Sequence, residues 1–164
     1  MGFHWNTGTW SWNKTHDVKI MSKPTKNKNI GLVLVTHIDY GEKLLQAAED
    51  ILGKQENCMT VSVDMSTEVE KSLGAIKNAV KATNSGNGVL IVTDMFGGTP
   101  TNLSLSLLGS GEFEVVTGVN LPMLLKILST RNLPLDRLAR EAKSAGCKGI
   151  VVAGELLRSN IADG

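Results

Sequence analysis

Three short segments of this chain combine glycine with polar residues whose side chains could carry chemistry. They are residues 36–41, 94–100 and 118–122, and each directly follows an apolar run typical of a buried strand. In open α/β sheets, ligands bind beyond the carboxyl ends of the strands, near the point where the strand order reverses. The three segments are therefore predicted to meet at one edge of a sheet and to form the functional site.

A histidine and an aspartate are the candidate reactive pair. His37 is the only histidine in residues 30–164, and a neutral imidazole offers a lone pair for nucleophilic attack. A carboxylate beside it would fix its tautomer, and Asp94 is the natural candidate because it follows a strand expected to neighbour the first one. Position alone leaves two alternatives open, in which His37 is an oriented core residue and Asp94 is an N-cap or turn residue.

A glycine-rich turn precedes one of the expected helices. In the segment Gly97-Gly98-Thr99-Pro100, the first three residues place backbone N–H groups at a helix start, which suits an anion and phosphate in particular. The Thr99 hydroxyl could add a donor. The segment is not a Walker A loop, because no Gly-Lys-Ser/Thr follows. Taken alone, it is equally compatible with a tight turn before a capped helix.

Apolar strands alternate with amphipathic helices from residue 30 onward. This order predicts a doubly wound α/β domain with a mainly parallel sheet. A capping box at Asp39 and Glu42 is expected to open the first helix, and Gly146 to end the last one. Strands are expected at 30–35, 59–63, 88–93, 113–117 and 149–153, and helices at 39–53, from 67 to about 80, 100–108, 121–130 and 134–145.

The chain divides into an extension, residues 1–29, and a domain, residues 30–164. The extension carries five lysines and one acid and has no hydrophobic periodicity, which predicts a disordered or loosely held segment. Met21 could be the natural start, in which case residues 1–20 would be upstream or added sequence. The remainder carries 12 basic and 15 acidic residues.

Composition narrows the class of protein. A net charge of +1 over 164 residues gives no argument for a nucleic-acid partner. The longest strong apolar run, about 30–35, is too short to insert into a membrane, and residues 1–20 lack the apolar region of a signal peptide. Cys58 and Cys147 are expected to be reduced thiols, so a cytoplasmic protein is predicted.

The chain resembles the IIA domain of the mannose-type (mannose/fructose/sorbose) family of the bacterial sugar phosphotransferase system. The resemblance rests on Val35-Thr36-His37, on residues 93–102 (TDMFGGTPTN) and on residues 117–124 (TGVNLPML), in this order. It implies a phosphoprotein in which His37 accepts a phosphoryl group from the phosphocarrier HPr and passes it to a IIB component. It also implies a four-stranded parallel sheet, with an antiparallel edge strand at 149–153 exchanged within a homodimer.

The resemblance assigns the site residues. His37 and Asp94 would be catalytic, and Asn120 would lie at the rim of the site. No cofactor and no metal are expected, since His37 and Asp94 supply too few ligands for a metal site. The residues expected to bind phosphate are Thr36, Gly97, Gly98 and Thr99.

One departure and several alternatives remain at this point. The family usually has glycine directly after the active histidine, whereas this chain has Ile38, so either the loop is rearranged or glycine is not required. No IIB domain follows within the 164 residues, so a separate IIB partner or a purely regulatory role is expected. A phosphocarrier subunit of a dihydroxyacetone kinase would use the same chemistry. A receiver-like domain phosphorylated on Asp94 is disfavoured. Such a domain needs an acidic pair directly after the first strand and a lysine after the last strand, and this chain has neither at those positions.

Overall fold

The computed structural model describes residues 4–6, 9–11, 29–64, 68–109, 112–155 and 158. No helix within these ranges is long and apolar enough to cross a bilayer. The strands are β1 (His4–Asn6), β2 (Thr9–Ser11), β3 (Gly31–His37), β4 (Cys58–Val63), β5 (Val89–Thr93) and β6 (Phe113–Thr117). The helices are α1 (Tyr40–Leu52), α2 (Val69–Thr83), α3 (Thr99–Leu105), α4 (Leu121–Ser129) and α5 (Leu135–Lys148).

The first two strands form a small antiparallel pair of their own. Most of the predicted extension, residues 1–29, lies outside the described residues. The division of the chain at residue 29 and the disorder expected before it therefore stay predictions.

The other four strands form a fully parallel sheet in the order β4-β3-β5-β6. The chain reverses its direction of winding between β3 and β5, where Val35 pairs with Thr93. Helices leaving β3 and β5 at such a switch point diverge to opposite faces and open a crevice between the strand ends. This confirms the predicted α/β class with a parallel sheet and places the end of β3 beside the end of β5.

Two apolar cores cover the two faces of the sheet. Side chains alternate along β3, so that Leu32 and Leu34 face α1, α4 and α5, while Val33 and Val35 face α2 and α3. These four side chains are fully buried. Each contributes about 2 kcal/mol of hydrophobic free energy relative to an exposed position. The central strands, and with them the site at their ends, are thus held from both sides.

The prediction that Gly146 ends the last helix is wrong. Helix α5 continues through Gly146 to Lys148, and Gly149 follows as its C-cap. A Cβ at Gly146 would lie 2.7 Å from the Cε atom of Met123. The glycine therefore allows α5 to pack closely on α4, and a packing requirement looked like a stop signal in the sequence.

The strand expected at 149–153 is absent from the described part of this chain. Residues 149–152 follow α5 without regular structure, and Ile150, Val151 and Val152 are exposed. A strand needs a neighbouring strand to satisfy its backbone groups, and this segment pairs with none of the six strands present. The prediction of an edge strand thus depends on a second copy.

The capping box expected at the start of α1 does not form. Asp39 occupies the N-cap position without a side-chain hydrogen bond to the helix. The Thr36 hydroxyl instead accepts a hydrogen bond of 2.8 Å from the Gly41 N–H. An early unpaired amide of α1 is thus satisfied from the end of β3, a contact that sequence spacing does not reveal.

Candidate functional site

The candidate site lies where β3 and β5 end. His37 is the last residue of β3, and Asp94 directly follows β5. The Asp94 Oδ2 atom accepts two hydrogen bonds from His37, one of 2.9 Å from the backbone N–H and one of 2.7 Å involving ring Nδ1. The structure thus brings together the two residues that sequence reasoning named as the reactive pair.

The pairing fixes which ring nitrogen is available. An ionised carboxylate only accepts hydrogen bonds, so in the neutral imidazole Nδ1 carries the proton and Nε2 keeps its lone pair. The His37 side chain is 35% exposed and the Asp94 side chain 16%. The imidazole is therefore held by a largely buried carboxylate and remains accessible to a second molecule.

The carboxylate of Asp94 is stabilised in its ionised form. Burial opposes ionisation, but hydrogen bonds from the backbone and ring of His37 and from the Met95 N–H outweigh it and lower the pKa of Asp94. The Met95 bond, of 2.9 Å, goes to the other oxygen, Oδ1. Both carboxylate oxygens are thus engaged, which fixes the rotation of the group and the direction of the ring it holds.

The glycine turn packs against the imidazole. A Cβ at Gly98 would lie 2.9 Å from Cε1 and 3.5 Å from Nε2 of His37. Gly98 is the N-cap of α3, Thr99 is its first helical residue, and Gly97 has a φ of +83°. The absence of a side chain at residue 98 leaves Nε2 uncovered and brings the first turn of α3 beside it.

Two predicted site residues, Thr36 and Asn120, make structural contacts. The Thr36 side chain is buried, and its hydroxyl accepts a hydrogen bond from α1, while its role in binding phosphate stays a prediction. Asn120 caps α4 by accepting from the Met123 N–H at 3.0 Å, and its amide donates to the Gly146 carbonyl at 3.1 Å. The side chain of Asn120 thus joins α4 to α5. This structural role was not part of the prediction that Asn120 lies at the rim of the site.

The loop after His37 adopts the conformation that glycine favours, although isoleucine occupies the position. Ile38 has a φ of +50°, in the left-handed region, and its side chain is 72% exposed. A β-branched residue in this region costs roughly 1–2 kcal/mol. Of the two possibilities considered from the sequence, this geometry favours the second, in which glycine is not required. Isoleucine adopts the backbone conformation that glycine prefers, and the fold tolerates the strain.

Sequence reasoning missed two buried hydroxyl groups behind the site. Thr93 and Thr101 are fully buried, and their Oγ1 atoms lie 2.6 Å apart. The sequence did contain a signal for these groups. Threonine occurs at the end of a buried strand and in the first turn of a helix, two positions where an apolar residue would fill the core equally well. Hydroxyl groups in a core need hydrogen-bond partners, so threonine at these two positions indicates a buried polar contact.

A second cluster of chemically interesting groups is unsuited to catalysis. Arg131 is buried and lies 3.3 Å from the Cys58 Sγ atom, near the start of β4. Burial raises the pKa of Cys58 to about 11, despite the opposing effect of Arg131. The thiol therefore stays protonated near neutral pH and lacks nucleophilic character. Within the described ranges, no three His, Cys, Asp or Glu side chains are grouped so as to hold a metal ion.

A family model described as "PTS system fructose IIA component" matches residues 31–141. This chain belongs to that family. The mannose-specific EIIAB component of Escherichia coli K12 is 32% identical over 124 residues, which are 74% of this chain and 38% of that protein. The chain thus spans about two fifths of the length of this relative. The match confirms the resemblance inferred from residues at three strand ends.

Further relatives of this IIA family member agree with the fold. The fructose-specific EIIA component of Bacillus subtilis is 28% identical over 130 residues, which are 78% of this chain and 89% of that protein. The crystal structure of a phosphotransferase system component EIIA from Streptococcus agalactiae aligns with a TM-score of 0.70 at 25% identity, covering 77% of this chain and 98% of that one. The family match thus places the chain among the IIA components of phosphotransferase systems.

Proposed function

We propose that this IIA component is a phosphohistidine carrier, a phosphotransferase that accepts a phosphoryl group on His37 and passes it on. The donor is phospho-HPr and the acceptor is a IIB component of a sugar phosphotransferase system. The observation that carries the proposal is the bond between His37 Nδ1 and Asp94, which directs the lone pair of Nε2 outward.

The transfer of the phosphoryl group between two histidines needs no cofactor. The Nε2 lone pair forms a bond to phosphorus while the P–N bond of the donor phosphohistidine breaks, and the donor ring keeps that electron pair. The proton on Nδ1 of His37 stays in its bond to Asp94, which stabilises the positive charge that develops on the ring. Transfer to the acceptor is the same step in reverse.

The turn before α3 is the proposed phosphate-binding element. Gly98 packs on the His37 ring, so a phosphoryl group on Nε2 would lie near the backbone N–H groups of Gly97, Gly98 and Thr99. The first amides of any helix lack an intrahelical partner and favour anions. The exposed Thr99 hydroxyl is one further donor within the same turn.

The surface around His37 suits a protein donor rather than a small molecule. Ile38, Met95 and Phe96 are exposed to 72%, 56% and 76%, and they flank the reactive pair in sequence. Exposed apolar side chains grouped at one place are typical of protein-interaction sites. We infer a cytoplasmic protein whose partners, HPr and IIB, dock here transiently in turn, with no nucleic-acid partner and no direct insertion into a membrane.

We further propose a homodimer in which residues 149–153 of one copy add an antiparallel strand to β6 of the other. β6 pairs only with β5 within the described chain, and its side chains are half-buried. A groove of about 480 Å³ runs beside it. Sedimentation equilibrium should give twice the chain mass for the wild type and a monomer for Val151→Asp. A monomeric wild type would contradict the exchange.

The names of the relatives favour sugar transport over the alternatives. The related proteins named above are mannose- and fructose-specific components, and a sorbose-specific one from Lacticaseibacillus casei is 29% identical over 109 residues. No observation specifically favours a dihydroxyacetone kinase subunit or a purely regulatory carrier. The site chemistry would be the same in all three.

Intact-mass spectrometry tests the proposed function. The full chain is incubated with HPr, phosphoenolpyruvate and the enzyme that phosphorylates HPr, and then split between acidic and alkaline conditions. We expect a mass gain of one phosphoryl group that is lost in acid and kept in base, as for a P–N bond. The same mixture without phosphoenolpyruvate is the control. No mass gain, or a base-labile acyl phosphate, would refute the proposal.

The two adjacent glycines of the turn allow a matched test of the packing on His37. Gly98→Ala would force a Cβ against the ring and is expected to slow transfer about 100-fold, since small displacements of reacting groups have effects of this size. At Gly97 an added Cβ meets no atom within 4 Å, but φ is +83°, so Gly97→Ala should cost roughly 1–2 kcal/mol of stability. Labelling rates and urea unfolding distinguish the two effects.

If Gly98→Ala transferred phosphate at the wild-type rate while remaining folded, the turn would not pack on the reactive nitrogen as described.

A further inference from the structure

A chain of buried hydroxyl groups lies directly behind the reactive pair. Thr101, in the first turn of α3, and Thr93, at the end of β5, are both fully buried. The Thr101 Oγ1 atom lies 2.6 Å from Thr93 Oγ1 and 2.6 Å from the carbonyl oxygen of Met95. The three groups therefore link the strand, the helix and the loop between them.

The direction of these hydrogen bonds follows from the chemistry of the groups. A carbonyl only accepts, so the single hydroxyl proton of Thr101 is donated to the Met95 carbonyl. The short contact between the two threonines then requires Thr93 to donate to Thr101. Hydrogen bonds in such a chain polarise and strengthen one another in a low-dielectric interior.

Met95 transmits this constraint to the site. Its carbonyl is held by Thr101, and its N–H donates to Asp94 Oδ1 at 2.9 Å. The second oxygen of Asp94 accepts from the backbone and ring of His37. The hydroxyl of Thr101 is thus joined to the imidazole through one residue of backbone and one carboxylate.

We propose that Thr101 is a positioning residue for phosphoryl transfer, which holds the Met95 backbone so that Asp94 fixes the tautomer and direction of the His37 ring. The proposal rests on the proposed function in so far as it concerns transfer. Its structural content, the control of the ring tautomer, can be measured without any donor protein.

A purely structural explanation of Thr101 is less satisfactory. At a fully buried position in a helix, valine has almost the same shape and needs no hydrogen-bond partner. Ser104, also fully buried and on the same helix, donates to the Pro100 carbonyl at 2.7 Å, which is a local contact within α3. Only Thr101 of these two uses its hydroxyl to reach the loop that carries Asp94.

The test compares Thr101→Val, Thr101→Ser and the control Ser104→Ala in the full chain. We expect Thr101→Val to slow phosphorylation at saturating phospho-HPr at least about tenfold with little change in KM, and Thr101→Ser to restore the rate to within about threefold. Ser104→Ala should lower stability without lowering the rate. Thr101→Ala, which adds no bulk, replaces the valine variant if that variant does not fold.

The distinguishing readout is the ¹⁵N NMR spectrum of the His37 ring at mildly alkaline pH. The wild type and Ser104→Ala should show a proton on Nδ1 and a bare Nε2, and Thr101→Val should show a mixture of tautomers. An unchanged tautomer in a folded Thr101→Val would overturn the inference, even if the wild type is phosphorylated. Failure of the wild type to accept a phosphoryl group would overturn the proposed function instead. The tautomer measurement would then still decide whether Thr101 positions the His37 ring.

Discussion

Replacement of His37 by alanine or glutamine is expected to abolish phosphoryl labelling by phospho-HPr. His37 is the only histidine in residues 30–164, and its Nε2 is the ring nitrogen left open beside the turn before α3. Neither replacement supplies a nucleophilic nitrogen, because the side-chain amide of glutamine has no available lone pair on nitrogen. The measurement is intact mass after incubation with the complete donor system.

The extension supplies a matched control for this prediction. His4 and His16 lie outside residues 30–164, and His4→Gln and His16→Gln should be labelled like the wild type. Circular dichroism should show that the His37 variants keep the wild-type content of helix and strand. Labelling that persisted in His37→Ala would assign the phosphoryl group to another residue and remove the basis of the mechanism.

Asp94→Asn is expected to slow the transfer to His37 by about 1,000-fold, comparable to the loss when the carboxylate partner of a catalytic histidine is neutralised. The amide can donate its N–H to Nδ1, which moves the ring proton to Nε2 and removes the lone pair that attacks phosphorus. The shape of the side chain hardly changes. Initial labelling rates at a fixed concentration of phospho-HPr measure the effect.

Asp39 provides the control for this substitution. It is an exposed acid in the same turn as His37, and it makes no side-chain hydrogen bond to α1. Asp39→Asn removes the same charge and should leave the labelling rate within about twofold of the wild type, since exposed charges contribute little. Equal losses in the two variants would indicate a general charge effect on docking and contradict the tautomer argument.

The lowered pKa of Asp94 also predicts how stability depends on pH. A carboxyl whose pKa is lower in the folded than in the unfolded state stabilises the fold above its ordinary pKa, and this contribution disappears as the pH falls through the lower folded value. The difference in unfolding free energy between the wild type and Asp94→Asn should therefore be larger at neutral pH than in strong acid. Urea titrations at the two pH values measure it.

The sequence was sufficient for the pairing of His37 with Asp94, because topology alone determines it. Uninterrupted apolar strands separated by amphipathic helices predict a parallel sheet, and residues that follow neighbouring strands meet at its carboxyl edge. The glycine turn was found for a similar reason, since two glycines before a proline-containing helix start are a local signal.

The details that depend on packing could not be read from the sequence. The hydroxyl of Thr36 accepts a hydrogen bond from the Gly41 amide, and a side chain at Gly146 would collide with Met123. The left-handed backbone of Ile38 contradicts the local preference of isoleucine and persists only because the surrounding fold enforces it. The network of Thr93 and Thr101 likewise becomes visible only when strand and helix are placed side by side.

The most direct measurement is the location of the phosphoryl group in the ¹⁵N-histidine-labelled protein. After phosphorylation by phospho-HPr, ³¹P–¹⁵N coupling identifies the nitrogen bonded to phosphorus. The contact between Asp94 and Nδ1 predicts a single coupling to Nε2 of His37, with Nδ1 still protonated. Phosphorus on Nδ1, on Asp94 or on any other residue would contradict the account.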